Sequence, residues 1–348
     1  MKAITVVPGN PERVRVSELD EPARSDGALL VEGRLVGICG TDVDIVERGY
    51  GWAPEGTDRL VIGHESLGTV LEAPEGSGFA PGDLVVGIVR RPDPVPCEPC
   101  AHGEWDFCRN GLYTERGIKQ RDGYAAQRWR IEPEYAVAVD PRLGDRGVLL
   151  EPTSVVAKAW EQTMRIFDRS SFRPKTALVT GAGPIGLLAA LLGVQRGFDV
   201  HVLDLNSHGP KAGLVADLGG TFHTGDVTGI GLEPDLVIEC TGYGPLVFEL
   251  TDVVAPGAVI CLTGISSGTR TVPVGLDEIN KQMVLENTVL LGSVNAARRN
   301  YEQAATALAA ADPGWLDRCI TRRVPMGDFA EALRKGDDDV KVAVDLRT

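Results

Sequence analysis

Ala177-Leu178-Val179-Thr180-Gly181-Ala182-Gly183-Pro184-Ile185-Gly186 decides the fold of the central part of this chain. A short apolar run enters three glycines at G-x-G-x-x-G spacing, and an Ala/Leu-rich stretch of helical character leaves them for Arg196. Gly181 permits the tight turn, Gly183 lets the backbone approach a pyrophosphate, and Gly186 lets the helix pack closely on the strand; Pro184 and Ile185 open that helix, whose N-terminus favours phosphate. The next apolar run, Val200-His201-Val202-Leu203, ends in Asp204. That is about 20 residues beyond the glycines, the interval of a carboxylate that accepts hydrogen bonds from ribose hydroxyls. A 2′-phosphate would meet like charge at Asp204, so NAD is expected over NADP, with Lys211 or His208 as partial compensation for NADP. An incidental aspartate after a structural turn is the plain alternative, and the unbroken order of strand, glycines, helix and acid disfavours it.

Outward from this turn, strand and helix alternate through Leu236-Val-Ile-Glu239, Gly257-Ala-Val-Ile-Cys-Leu262 and Val289-Leu-Leu-Gly292, as in a doubly wound parallel sheet. The earlier residues instead carry short alternating strands, such as Leu29 to Val36 and Asp83 to Val89, divided by Gly, Pro and Asp turns. The end, with Thr321-Arg-Arg-Val-Pro and Lys341-Val-Ala-Val-Asp, has the texture of the beginning. The expected division is a β-rich domain over 1–153, a dinucleotide-binding domain over 154–294 and a return to the first domain over 295–348.

The length of 348 residues suits two cores. A net charge of −14 argues against nucleic acid or an anionic membrane as partner, since both would repel the chain. No run is apolar enough to cross a bilayer, and the start lacks a signal-peptide cleavage pattern, so a cytoplasmic location is expected. The seven cysteines are odd in number, and Cys97, Cys100 and Cys108 have metal-like spacing, which favours metal over disulfides. Cys240, Cys261 and Cys319 lie in apolar surroundings and read as packing.

Cys39, in Gly37-Ile-Cys-Gly-Thr-Asp42, and Gly63-His64-Glu65 offer a thiolate, an imidazole and a carboxylate, the ligand types of a catalytic zinc. Their spacing alone is not diagnostic, since a lone Gly-His-Glu triplet in a β-rich domain is more often a turn with a satisfied histidine. The full set of motifs changes that balance: Gly37 to Asp42, Gly63-His64-Glu65-x-x-Gly68, Pro81-Gly82-Asp83, the cysteines between 97 and 108 and the glycine turn stand in a familiar order. The chain resembles the zinc-dependent medium-chain alcohol and polyol dehydrogenases over its whole length. Leu149-Leu-Glu151-Pro-Thr, Tyr113-Thr-Glu115-Arg and Gly292-Ser-Val-Asn295 resemble the microbial glucose 1-dehydrogenase branch.

The resemblance implies a GroES-like catalytic domain, a Rossmann domain, NAD or NADP, and hydride transfer from the anomeric carbon of an aldose such as D-glucose to give a lactone. It places Cys39, His64 and Glu65 around a catalytic zinc, with Glu151 as a further ligand directly or through water. Thr41 passes the alcohol proton, or caps the helix near Asp42. Glu115, Glu151 and Asn295 contact the sugar, and Thr241, Gly242 and Asn295 join the glycine turn in holding the cofactor. Where many alcohol-oxidising relatives have a relay histidine, this chain has Asp44, which leaves the usual proton exit open to question. A structural zinc is expected on Cys97, Cys100 and Cys108; Pro94 stands at the first ligand position, so Asp93, another acid or a water completes the shell, or the lobe is empty. Polyol, threonine and secondary-alcohol dehydrogenases are the alternative readings, with an idle NAD-binding relative the least favoured. The resemblance also implies a homodimer or homotetramer.

Overall fold

The computed structural model describes residues 1–266, 268–334 and 336–348. The chain divides into two compact units, Met1–Ser154 with Asn295–Thr348, and Val155–Val294.

In the first unit the strand Leu29–Ile38 is the spine of a seven-stranded sheet. Leu29, Val31 and Leu35 are fully buried and alternate with the more exposed Leu30, Glu32 and Arg34, whereas from Leu35 to Ile38 every residue is buried, so that end of the strand is covered on both faces. It pairs antiparallel with Glu65–Glu72, with Arg128–Ile131 and, across more than three hundred residues, with Lys341–Asp345. The C-terminal strand therefore completes the sheet begun near the N-terminus, with Val342 opposite Ile38. Ile4, Val36, Ile38, Ile45, Val342 and Val344 share one apolar cluster. Burying such side chains contributes roughly 1.5–3 kcal/mol each before entropy is counted.

The second unit holds six parallel strands in the spatial order Thr221–Thr224, Asp199–Asp204, Thr176–Thr180, Leu236–Glu239, Val259–Leu262, Val289–Gly292. Numbered along the chain this is 3-2-1-4-5-6, the doubly wound order with its switch point between Thr176–Thr180 and Leu236–Glu239. Both faces of such a sheet are covered, so its strands are apolar runs; Leu178, Leu203, Val237 and Ile260 pack with Leu250 in one core cluster. Among the described residues no helix is long and apolar enough to cross a membrane.

Candidate active site

The spine strand ends where the chemistry begins. Gly37 lies opposite Glu65 in the antiparallel register, so Cys39, just past the strand end, meets His64, just before its partner strand. Gly37 must be glycine, because a Cβ there would run into the Glu65 carboxylate and the Lys341 side chain. Cys39 is extended and caps the helix Gly40–Arg48, and the Asp42 carboxylate accepts the Cys39 N–H at 2.9 Å. Thr41 sits inside the first turn, its N–H donating to Cys39 Sγ at 3.3 Å. The helix cap expected of Thr41 is thus made by Cys39 and Asp42.

Ligand atoms of Cys39, His64 and Glu65 all lie within 4.8 Å of one another, with Cys39 Sγ 3.1 Å from His64 Nε2. On the far side of the imidazole, Nδ1 faces Asp42 Oδ1 at 3.5 Å, and Asp42 is fully buried. A carboxylate behind a histidine orients the ring and fixes its tautomer for a metal. His64 Nδ1, Asp42 Oδ1 and Glu65 Oε2 are buried without a hydrogen-bond partner, although Glu65 Oε2 is ion-paired with the fully buried Lys341. The Lys341 ammonium donates to the Ile38 carbonyl at 3.0 Å.

The electrostatics are those of crowded acids. Burial, then Glu65, pushes the Glu151 carboxyl up to about 8, and burial also raises Asp42. Burial opposes charge on His64, yet Cys39 and Asp42 outweigh it and hold its pKa well above the usual value. A divalent cation would relieve all three, so the donor set fits zinc. Glu151, in the first turn of the helix Leu150–Phe167, belongs to this electrostatic neighbourhood but not to the tight trio. Asp44, at the relay position, is paired with Arg48 at 2.7 Å.

Glu115 is buried and accepts hydrogen bonds from Arg90 Nε at 3.0 Å and Asn295 Nδ2 at 2.9 Å, with Arg90 Nη2 at 2.9 Å. Asn295 has a left-handed backbone, φ +61°. The structure therefore joins two residues 180 positions apart into one polar group, and sets the Tyr113 ring between Arg90 and Lys119 beside it. Carboxylate and amide together suit vicinal hydroxyls.

Cys97, Cys100 and Cys108 form the second group of ligand atoms within 4.8 Å. The Arg109 N–H, then Cys100, lowers the Cys97 thiol to about 7, whereas burial pushes Cys100 up to about 12. Asp93 lies outside the trio, buried, with Oδ1 accepting from Val95 N–H at 2.9 Å and Oδ2 without a partner. The three sulfurs supply three of the four ligands of a zinc shell, and the Asp93 carboxylate is not among the grouped ligand atoms. His102 is turned to the Glu98 carbonyl at 2.8 Å.

In the second unit Gly181 has φ +88° and donates to the Leu203 carbonyl at 2.7 Å, Gly183 caps the helix Pro184–Gln195, and a Cβ on Gly186 would strike the Gly181 carbonyl. Asp204 Oδ2 accepts from Ala182 N–H at 2.7 Å and Lys211 Nζ at 3.2 Å, and Oδ1 accepts from Asn206 N–H at 3.0 Å. Burial would raise this carboxyl; the Asn206 and Ala182 bonds outweigh it and hold it low. Sequence reasoning gave no site role to Asp42, Lys341 or Arg90: Asp42 stands in the Gly37 to Asp42 motif, but the burial of all three is set by the tertiary fold rather than by neighbouring residues.

The chain matches the family described as Alcohol dehydrogenase GroES-like domain over residues 25–141 and that described as Glucose dehydrogenase C-terminus over 144–346. It is 37% identical to a glucose 1-dehydrogenase of Methanocella arvoryzae over 99% of each chain, and 39% identical to one of Thermoproteus tenax over 100% of each. Among solved structures it is similar to Haloferax mediterranei glucose dehydrogenase in complex with NADP, zinc and gluconolactone, at 30% identity, TM-score 0.92 and complete coverage of both chains. Likeness of this extent in both sequence and fold places the chain in the zinc-dependent medium-chain alcohol dehydrogenase family, within its glucose dehydrogenase branch.

Proposed function

We propose that this protein oxidises the anomeric carbon of an aldose, D-glucose foremost, to a lactone, with zinc and NAD or NADP. The observation that carries the reading is the convergence of Cys39, His64 and Glu65 in the unit that also builds the Glu115–Asn295 pair. The zinc- and gluconolactone-bound Haloferax enzyme supports it. When bound, zinc supplies a Lewis acid that polarises a hydroxyl, and the dinucleotide supplies the hydride acceptor.

The chain's own residues do the rest. Cys39, His64 and Glu65 hold the ion, with Glu151 as a further ligand directly or through water. Asp42 keeps a proton on His64 Nδ1, so that Nε2 presents a lone pair. Lys341 balances the charge of Glu65. The Thr41 hydroxyl passes the substrate's proton on toward the nicotinamide ribose, accepting it as it gives up its own; Asp44 stands at the position of the relay histidine, paired with Arg48. Glu115 and Asn295 grip vicinal hydroxyls and so orient the carbon that reacts. Gly181, Gly183, Pro184, Ile185 and Gly186 cradle the pyrophosphate, with Thr241 and Gly242 beside them and Asp204 at the adenosine ribose. Cys97, Cys100 and Cys108, with Asp93, hold a second zinc that stiffens their loop.

Further parts of the reading are a homodimer or homotetramer and a cytoplasmic location. Among the described residues the edge strand Val289–Gly292 has a neighbour on one side only, and Val284 and Leu285 nearby are exposed, as in a surface that pairs with a second copy. All seven cysteines are free, as a reducing compartment requires. A panel of glucose, galactose, xylose, sorbitol, threonine and short diols tests the assignment: NAD(P)H formation with aldoses supports it, and turnover confined to open-chain substrates refutes it.

A further inference from the structure

Glu239 closes the strand Leu236–Glu239, opposite Thr180 at the switch point of the parallel sheet, and is fully buried. Every group around its carboxylate is a donor. Oε1 accepts from Thr241 N–H at 2.6 Å, from the Thr241 hydroxyl, from Gly242 N–H at 3.1 Å and, at the limit of reach, from the Thr180 hydroxyl at 3.5 Å. Oε2 accepts from Gly242 N–H at 3.2 Å. The Thr241 oxygen itself accepts from Tyr243 N–H at 3.0 Å, which commits its proton to Glu239. Such a shell of donors suits a carboxylate, which is acceptor-only when ionised. Among the described residues no lysine, arginine or histidine is ion-paired with it, so a whole negative charge is held by dipoles alone.

The loop that Glu239 grips is built without slack. Gly242 has φ +65° and backs onto Ile265, while a Cβ on Gly181 would lie 3.0 Å from the Thr241 methyl. The turn after the first strand and the turn after the fourth therefore touch at the switch point. Across such a sheet the adenosine half of a dinucleotide lies on the side of the first three strands, where Asp204 stands, and the nicotinamide half lies on the side of the fourth to sixth. Glu239 is on the fourth.

We infer that Glu239 is a positioning residue with an electrostatic consequence: it fixes Thr241 and Gly242 against the glycine turn, and its buried charge favours the cationic, oxidised nicotinamide over the neutral, reduced one. This deepens the cofactor reading above and rests on it. At an effective dielectric of about 20, a unit charge acting across a distance on the order of 10 Å is worth on the order of tenfold in relative affinity.

The test is the dissociation constant of the oxidised and the reduced dinucleotide, measured by fluorescence titration of the zinc-loaded protein and of Glu239→Gln and Glu239→Asp. Glu239→Gln keeps the shape and removes the charge; it should weaken the oxidised form on the order of tenfold more than the reduced form. Glu239→Asp keeps the charge and should hold the ratio of the two constants within about twofold of the original protein. Equal losses in both forms with Glu239→Gln, or none, overturn the inference. Should Glu239→Gln not fold, Thr241→Val tests the grip on the loop: weaker binding of both forms is expected, and unchanged binding of both overturns it. Failure of the unaltered protein to bind either form would instead sink the cofactor reading.

Discussion

Asp42→Asn is the substitution through which the site's logic is most exposed. The Asp42 carboxylate does two things at once, accepting the Cys39 N–H and facing His64 Nδ1 from a fully buried position. An amide has the same shape but offers one acceptor and one donor. If its oxygen stays on the Cys39 N–H, its nitrogen faces His64 and turns Nδ1 into an acceptor; the ring proton moves to Nε2, the atom that must ligate. If the amide flips, two N–H groups oppose each other at Cys39. Either way one buried contact is lost, and loss of such an outer-shell partner typically costs 10–100-fold in metal affinity, about 1.4–2.7 kcal/mol. Zinc retention against a graded chelator, read by metal analysis of the desalted protein, measures it. Loss of the catalytic zinc at 10–100-fold lower chelator strength is expected, with turnover falling in step. Retention equal to that of the unaltered protein would refute the assignment of His64 Nε2 as ligand and Asp42 as its support.

Asp204→Ala removes the ribose acceptor and frees Lys211 for a 2′-phosphate, so the preference for NADP over NAD, as a ratio of kcat/KM, should rise by about tenfold, one charge-assisted hydrogen bond's worth; an unchanged ratio counts against Asp204 as the ribose residue. Glu115→Gln leaves the buried Arg90 unpaired and should raise KM for glucose by roughly tenfold or more while leaving cofactor KM alone; equal kinetics with glucose would remove Glu115 from the sugar site. Cys100→Ser should lower zinc from two ions per chain towards one and reduce thermal stability, read by metal analysis and melting; unchanged zinc content empties the lobe. Asp145 bonds Arg34 at 2.9 Å and Arg323 at 2.7 Å; burial would raise its carboxyl, but Arg34 and Arg347 outweigh it and hold it low. A carboxyl depressed in the folded state stabilises above its unfolded value, about 3.9, and that contribution fades as pH falls through the folded value. Asp145→Asn should therefore lower Tm by about 1–2 °C at neutral pH, the effect of ~1 kcal/mol, and by much less in strong acid; equal losses at both pH values would contradict the linkage.

What the sequence made legible was what is local. The glycine turn reads directly because its backbone demands are set by adjacent residues: Gly181 needs a left-handed φ and Gly186 leaves no room for a Cβ. The alternating run of Leu29 to Val36 announces a half-buried strand for the same reason. The meeting of Cys39 with His64 and Glu65 depends instead on strand register, which no spacing prints; motif order pointed to it, and the pairing of Gly37 with Glu65 explains it. Lys341 was illegible as a site residue because its place beside Glu65 is made by pairing between the two ends of the chain. Glu239 looked like the polar end of a strand, since burial of a carboxylate by loop N–H groups leaves no pattern in composition.

If one zinc ion, held by Cys39, His64 and Glu65, serves the oxidation of a sugar, turnover must follow that metal. The most direct measurement is glucose-dependent NAD(P)H formation by protein stripped of metal and then titrated with zinc, run beside Cys39→Ser. The stripped protein should show no turnover, recovery should track zinc added per chain, and Cys39→Ser should not recover. Full turnover by the stripped protein, or by Cys39→Ser, would contradict that dependence.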